Sequence, residues 1–275
     1  FSRQSQTETG ENVLHRACRD GDSSLVGYWL SSGYFTGEKL ITRDVFGHTP
    51  LHLAATCDVF ERVIDALRQD TELTVADCLE PSVLHRACDK AHTQIIHYIF
   101  TEFPADITLR LVFEADGSGL TAFHHAANSE VFCMLLNFVV SHEKNGIGVN
   151  LDAVFVGGVL RRACELDRAD IVSDIIHHSR PSKSTDIILN RDSDGRKALH
   201  YVATASIAKM IVGNVNTAEQ RKLHLPDRDG LTALHCAAAH QSAGVVQSLI
   251  CFSCGFQAYN DWVSLADKYG CTPLH

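Results

Sequence analysis

Apolar residues recur at three- and four-residue spacing in five stretches of the chain, at 59–67, 95–100, 131–140, 171–176 and 245–250. That spacing gives a helix one apolar face, so each stretch is expected to be an amphipathic helix. Ahead of each lies a shorter motif, a Leu followed by two small residues, as at Leu51, Ala54 and Ala55. It reads as a first, flatter helix. Each unit is therefore expected to run as turn, capped helix, short link, second helix and connector. The predicted fold class is all-α, without a sheet core.

The units share one phase. The dipeptide Leu-His recurs at Leu14-His15, Leu51-His52, Leu84-His85, Leu199-His200, Leu234-His235 and Leu274-His275. Phe123-His124 is a near match, and Leu160-Arg161 fills the remaining gap. The eight anchors are separated by 37, 33, 39, 37, 39, 35 and 40 residues. Asp lies eight residues before the anchor at Asp44, Asp77, Asp116, Asp192, Asp227 and Asp267. Gly lies five before it at Gly10, Gly47, Gly119, Gly195, Gly230 and Gly270. Asn12, Thr49, Ser82, Thr121, Thr232 and Thr272 lie three before it.

Each position has a physical reason. Asp and Gly make a turn, Gly by tolerating positive φ. Asn, Ser or Thr accepts hydrogen bonds from the free N–H groups of a helix start. Pro50 and Pro273 fit the first helical position, where no donor is needed. Ala-Ala or Ala-Cys keeps the first helix flat, so that a neighbouring helix can approach closely.

Residues 44–55 read Asp-Val-Phe-Gly-His-Thr-Pro-Leu-His-Leu-Ala-Ala, and this string closely resembles the ankyrin-repeat consensus, as does 227–238. The resemblance extends over 11–275, behind a lead-in at 1–10, and the Trp-Gly-Tyr pattern of the tetratricopeptide repeat is not matched. It implies an ankyrin-repeat solenoid of stacked helix-turn-helix units with turn or hairpin-like connectors, seven of them complete and an eighth truncated. Most steps exceed the family's period of about 33, and the extra residues fall after second helices, as loop insertions at 141–155 and 181–194. The fifth unit departs at Arg161 and Gly157-Gly158, and the sixth has Lys197 where Thr is expected.

The resemblance also implies a function: binding a protein partner on turn tips and on the exposed face of the first helix, without catalysis. Carried onto this chain, the candidates are Phe46, His48, Leu120, Arg196, Arg228, Leu231 and Tyr269 at tips, with Thr56, Asn128, Glu165, Thr204 and His240 on helix faces. Phe46, Leu120, Leu231 and Tyr269 are expected to be exposed apolar anchors. The alternative is a cytosolic regulatory segment of a larger enzyme or cation channel whose active part lies elsewhere.

Composition narrows the partner. The net charge of −9 disfavours nucleic acid and anionic membranes. No apolar run approaches the roughly 20 residues that span a bilayer. Ten cysteines without a paired framework read as reduced thiols. The expected setting is intracellular, most readily cytoplasmic, and the expected state a monomer.

The chemistry-bearing residues mostly fall into the repeat phase. Seven of sixteen histidines sit at the anchor, where the family's His links neighbouring loops. Cys18, Cys88 and Cys164 occupy small-residue positions, so His15-x-x-Cys18 and His85-x-x-Cys88 read as structural rather than as zinc ligands. Cys251-x-x-Cys254 lacks the strand context of a redox site. His124-His125 and His177-His178 are adjacent pairs whose side chains diverge. The Gly pairs at Gly117-Ser118-Gly119 and Gly146-Ile147-Gly148 match no dinucleotide or phosphate fingerprint. The reading therefore assigns no catalytic residue, cofactor or metal. Arg16, Arg86 and Arg162 directly follow alternate anchors. They could clamp acidic groups of a partner, but local pairing with Asp20, Asp89 and Glu165 is favoured.

Overall fold

In the computed structural model, residues 9–70, 74–144, 158–179, 181–215, 219–253 and 263–275 are described. Chain contacts divide it into two compact blocks, Phe1–Ile147 and Gly148–His275. Every regular element among the described residues is helical.

The N-terminal block holds α1 (Val13–Asp20), α2 (Ser23–Ser31), a 3-10 turn at Pro50–Leu53, α3 (Cys57–Gln69), α4 (Val75–Cys78) and α5 (Pro81–Asp89). It continues with α6 (Thr93–Glu102), α7 (Ala105–Phe113), α8 (Ala122–His125) and α9 (Ser129–Lys144). First helices pack in series, α1 on Pro50–Leu53 and α5 on α8, and second helices do likewise through α2, α3, α6 and α9. Between the two layers lie Leu14, Phe60, Ile64, Leu84, Ile96, Ile99, Phe123 and Phe132, all buried. The C-terminal block holds α10 (Leu160–Glu165), α11 (Ala169–His178), α12 (Pro181–Leu189), a 3-10 turn at Ala198–Tyr201 and α13 (Ala205–Gly213). After a second 3-10 turn at Gln220–His224 come α14 (Ala233–Ala239) and α15 (Ala243–Ser253). Its core includes Leu160, Val172, Ile175, Leu199, Ile207, Ile211 and Leu249.

The repeats are not equivalent. The first helix has eight residues in α1, nine in α5, six in α10 and seven in α14. In the even repeats it shrinks to four, at Pro50–Leu53, Ala122–His125 and Ala198–Tyr201. Odd repeats end the helix on a left-handed residue six after the anchor, namely Gly21, Ala91, Asp167 and Gln241, at φ 72, 54, 56 and 55°. Even repeats leave the helix at once. Ala54, Ala126 and Val202 are extended, with ψ of 113, 116 and 123°, and Thr56 and Asn128 then cap α3 and α9 through Oγ1 to Val59 N and Oδ1 to Val131 N. Thr56, Asn128 and Thr204, expected on the open helix face, therefore stand at the starts of second helices. The N–H groups freed by the short helix are not lost: Ala55 N donates to Cys18 O and Ala127 N to Cys88 O, each at 3.1 Å. The second and fourth repeats thus complete their own hydrogen bonding on the odd repeat before each.

The 181–194 insertion, read as a loop, is partly helical, and the third repeat carries a helix that the sequence reading did not place. The α7 segment buries Leu109, Leu111 and Val112 against its neighbours, and α12 occupies the start of the 181–194 insertion. Gly157 and most of the 141–155 insertion lie outside the described residues, as does Cys254. The small-residue reading of the cysteines holds: Cys18, Cys88 and Cys164 are fully buried. Burial pushes all three thiols up, those of Cys18 and Cys164 to about 12, so they are poor nucleophiles and poor ligands.

Candidate partner surface and the anchor network

The turn tips are built from one carboxylate each. Asp44 Oδ1 accepts from Phe46 N at 2.9 Å and His48 N at 2.8 Å. Asp116, Asp192, Asp227 and Asp267 repeat this with the residues two and four further on. Each turn closes on a Gly at φ between 79 and 82°, from Gly47 to Gly270. Burial pushes the Asp44, Asp116, Asp192 and Asp227 carboxyls up, but backbone and side-chain donors outweigh it and hold them below the usual carboxylate range. At Asp267 the Cys271 N–H is the leading cause of the same downward shift. Neighbouring tips are joined by backbone bonds, Val45 N to Thr9 O, Arg228 N to Asp194 O and Lys268 N to Asp229 O. The Asp44, Asp192, Asp227 and Asp267 tips are therefore pinned at both the carboxylate and the backbone, which makes them rigid platforms.

Behind each tip sits the anchor. Thr49 N donates to His52 Nδ1 at 3.1 Å, and the same bond recurs at His15, His124, His200, His235 and His275. The far nitrogen reaches the next repeat: His15 Nε2 lies 3.1 Å from His48 O, His200 Nε2 3.3 Å from Leu231 O, and His235 Nε2 3.1 Å from Cys271 O. Burial lowers the pKa of His15 and His200, the latter to about 4. These rings are neutral at pH 7, as a ring that both accepts and donates must be.

The third repeat breaks the pattern. Helix α5 begins at Pro81, with Glu80 as its cap residue, so Ser82 lies inside the helix rather than at its cap. Its hydroxyl instead meets His52 Nε2 at 2.8 Å. In the sixth repeat Lys197, where Thr was expected, is buried and donates from Nζ to the carbonyls of Lys222 and Leu225. The substitution thus ties the Gln220–His224 turn to the anchor layer, and burial lowers the lysine to about 8.

Among the expected tip residues, Phe46 is 71% and Tyr269 78% exposed. They occupy the same repeat position, two after the turn Asp. Arg228 is also exposed, and His48 is half-buried beside Asp44. Three expectations need correction. Leu120 and Leu231 are half-buried; each follows the turn Gly, with its N–H bonded to the turn carboxylate. Arg196 is not a free tip: its Nε lies 2.9 Å from Asp227 Oδ2, whose side chain is almost fully buried, and so it cross-links two repeats. Of the arginine series, only Arg162 makes the expected local pair, with Glu165 at 2.9 Å. Asp20 pairs with Arg19 and Asp89 with Lys90, leaving exposed Arg16 and half-buried Arg86 without an ion pair among the described residues.

Two features escaped the sequence reading. Leu25 and Tyr28 are exposed on α2; their three-residue spacing put them on one face, but Val26 is the buried side of that helix. A shallow groove of about 450 Å³ runs between α3, α6 and α9, lined by Cys57, Glu61, Gln94, His97, Tyr98 and Met134 among others. It lies on the second-helix layer, where the expected binding face was on the first. No described helix is long and apolar enough to cross a membrane.

A family model for the ankyrin repeat matches residues 229–260. The nuclear factor NF-kappa-B p105 subunit of Rattus norvegicus is 32% identical over 143 residues, which is 51% of this chain and 14% of that protein. The chain therefore matches about a seventh of its relative's length. Among solved structures, the ankyrin repeat domain of Bcl-3, a member of the IkappaB protein family, aligns over 96% of this chain and 93% of its own, at 17% identity and a TM-score of 0.44.

Proposed function

From the premise that this chain belongs to the ankyrin-repeat family, we propose that it is a non-catalytic module that binds a protein partner through its turn tips. The observation that carries this reading is the pair Phe46 and Tyr269. Two large aromatic side chains stand in solvent at the same repeat position, each on a turn held by an Asp carboxylate. Apolar side chains exposed on a fixed backbone cost little further ordering on association, and aromatic residues dominate binding energy at interfaces. Around them, His48 and Arg228 supply polar contacts that orient a partner.

On this reading repeats run through 11–275, and the protein works inside the cell and as a monomer; the described cysteines form no disulfide. Arg16 and Arg86, lacking local ion pairs, are the members of the arginine series best placed to meet acidic groups on the partner. Arg162 and Arg196 are already engaged.

The test is affinity capture from cell extract with the parent chain and with Phe46→Ala and Tyr269→Ala. Both variants should keep the parent's helical signal and melting temperature, since neither side chain is buried. Loss of a captured protein in the variants, followed by an affinity drop of about tenfold or more with that purified protein, supports tip binding. Equal capture by all three chains overturns it.

A further inference from the structure

The anchor histidines His15, His52, His200 and His235 are hydrogen-bonded at both ring nitrogens. His85 differs. It is 4% exposed, yet neither its Nδ1 nor its Nε2 has a hydrogen-bond partner among the described residues. The cause is local. Because α5 starts at Pro81, the N–H of Ser82 is not placed as a cap donor to Nδ1, and the bond from Nε2 across to the fourth repeat is not made. The Glu114 carbonyl faces the ring without reaching hydrogen-bond geometry. The ring lies instead on His125, with centroids 5.0 Å apart and planes 12° from parallel.

His125 and Asp116 belong to the next repeat. His125 Nε2 lies 3.1 Å from Asp116 Oδ2, while Asp116 Oδ1 is occupied by the turn. One ligand atom from each of His85, Asp116 and His125 lies within 4.8 Å of the other two. Both His125 and Asp116 are half-buried, so solvent reaches one side of the cluster. We propose that His85, Asp116 and His125 form a binding site for a divalent transition-metal ion, with zinc the best fit, which clamps the third repeat to the fourth.

The donor set selects the ion. Two imidazole nitrogens and one carboxylate suit zinc and its first-row neighbours, whereas calcium and magnesium prefer all-oxygen shells. Three protein ligands leave a fourth position for water on the solvent side. Zinc–nitrogen bonds of about 2.0–2.1 Å place tetrahedral ligand atoms roughly 3.3 Å apart. The His125–Asp116 pair is already that close, and His85 must turn about its side-chain bonds to join it. It breaks no hydrogen bond in doing so. The clamp sits where the other repeats make their anchor bond and this one does not. Sequence spacing could not find it, because His85 and His125 are 40 residues apart and only the stacking of α5 on α8 brings them together.

The test uses the 275-residue chain, stripped of metal with a chelator and dialysed. Cobalt(II) should bind one equivalent with visible d–d bands of a nitrogen–oxygen site and no thiolate charge-transfer band, and zinc should displace it. Asp116→Asn keeps the oxygen that makes the turn, and His125→Phe keeps a ring stacked on His85. Each should weaken cobalt and zinc binding on the order of 100-fold or more and abolish the rise in melting temperature that zinc gives the parent. Metal-free melting and circular dichroism show whether each variant is folded, and Asp116→Asn suffices if His125→Phe is not. No stoichiometric binding, a thiolate spectrum, or binding that survives substitution in a folded variant overturns the proposal.

Discussion

Replacing Ala91 with glycine should stabilise the protein, although it removes a methyl group and adds freedom to the unfolded chain. Ala91 ends the first helix of the third repeat at φ 54°. An L-residue with a Cβ pays roughly 1–2 kcal/mol in the left-handed region. Glycine removes that cost and adds about 0.4–1 kcal/mol of unfolded-state entropy. The net gain is therefore about 0.5–1 kcal/mol for the repeats that unfold with it. Gln241, at φ 55° in the seventh repeat, should respond alike. Asp167 should not, because its carboxylate accepts a 2.7 Å bond from Thr204 Oγ1, worth about 1 kcal/mol, which glycine deletes. The first repeat supplies the reverse case: Gly21→Ala introduces the strain and sets a Cβ 3.3 Å from Thr56 Cγ2. Urea denaturation followed by circular dichroism reads the effect. Ala91→Gly and Gln241→Gly should each raise the midpoint by about 0.2–0.5 M at typical urea slopes; Asp167→Gly should leave it nearly unchanged; and Gly21→Ala should lower it. Midpoints that stay put or fall for both Ala91→Gly and Gln241→Gly would refute the assignment of strain to these positions.

Acid should destabilise the protein over a defined window. Burial holds His52 at about 3 and His200 and His224 at about 4, below the unfolded value near 6.5, so the unfolded chain binds more protons as pH falls through 6.5 toward 4. Stability is full above that range and is lost below it, by on the order of 3 kcal/mol for each ring by pH 4, and a urea midpoint unchanged between pH 7 and pH 5 would contradict this. Arg196→Ala should cost about 1–3 kcal/mol, as Asp227 loses a charged partner while keeping its two backbone donors; equal midpoints would show the pair to be inert. Lys197→Thr restores the common cap residue but removes the Nζ donor from the Lys222 and Leu225 carbonyls, leaving Lys222 O only the Leu225 N–H at 3.4 Å, so it should destabilise the Gln220–His224 turn, seen as faster hydrogen exchange at 220–225.

The sequence pattern carried the helical class, the turn chemistry and the Nδ1 side of the anchor, because each depends on residues within about ten positions of one another. Asp44, Gly47, Thr49 and His52 do their work inside a single turn, so their spacing is their structure. The alternation of long and short first helices is also present in the spacing, as the distance from anchor to second-helix cap: seven residues from His15 to Asp22, four from His52 to Thr56. The Leu-His phase masks it, because both kinds of repeat share that phase and differ only beyond the anchor. Other features could not be read locally. Arg196 looks like a tip residue until its neighbour's Asp227 is placed beside it, and the half-burial of Leu120 and Leu231 is not visible in their spacing.

The alternation also accounts for where the departures fall. An even repeat lacks the turn that would satisfy Ala55 N and Ala127 N, and takes Cys18 O and Cys88 O of the preceding odd repeat instead. Repeats one and two, and three and four, are therefore joined by backbone as well as by side chains. A carbonyl lent in this way fixes the first helix of the odd repeat as a platform for the next. In the first pair His15 adds its anchor bond to that platform. In the third and fourth repeats the backbone bond is kept while the anchor bond is missing, and His85 is left facing Asp116 and His125 with neither nitrogen hydrogen-bonded among the described residues. The backbone link explains how the repeat pair tolerates an unsatisfied buried imidazole, which would otherwise cost about 1–3 kcal/mol.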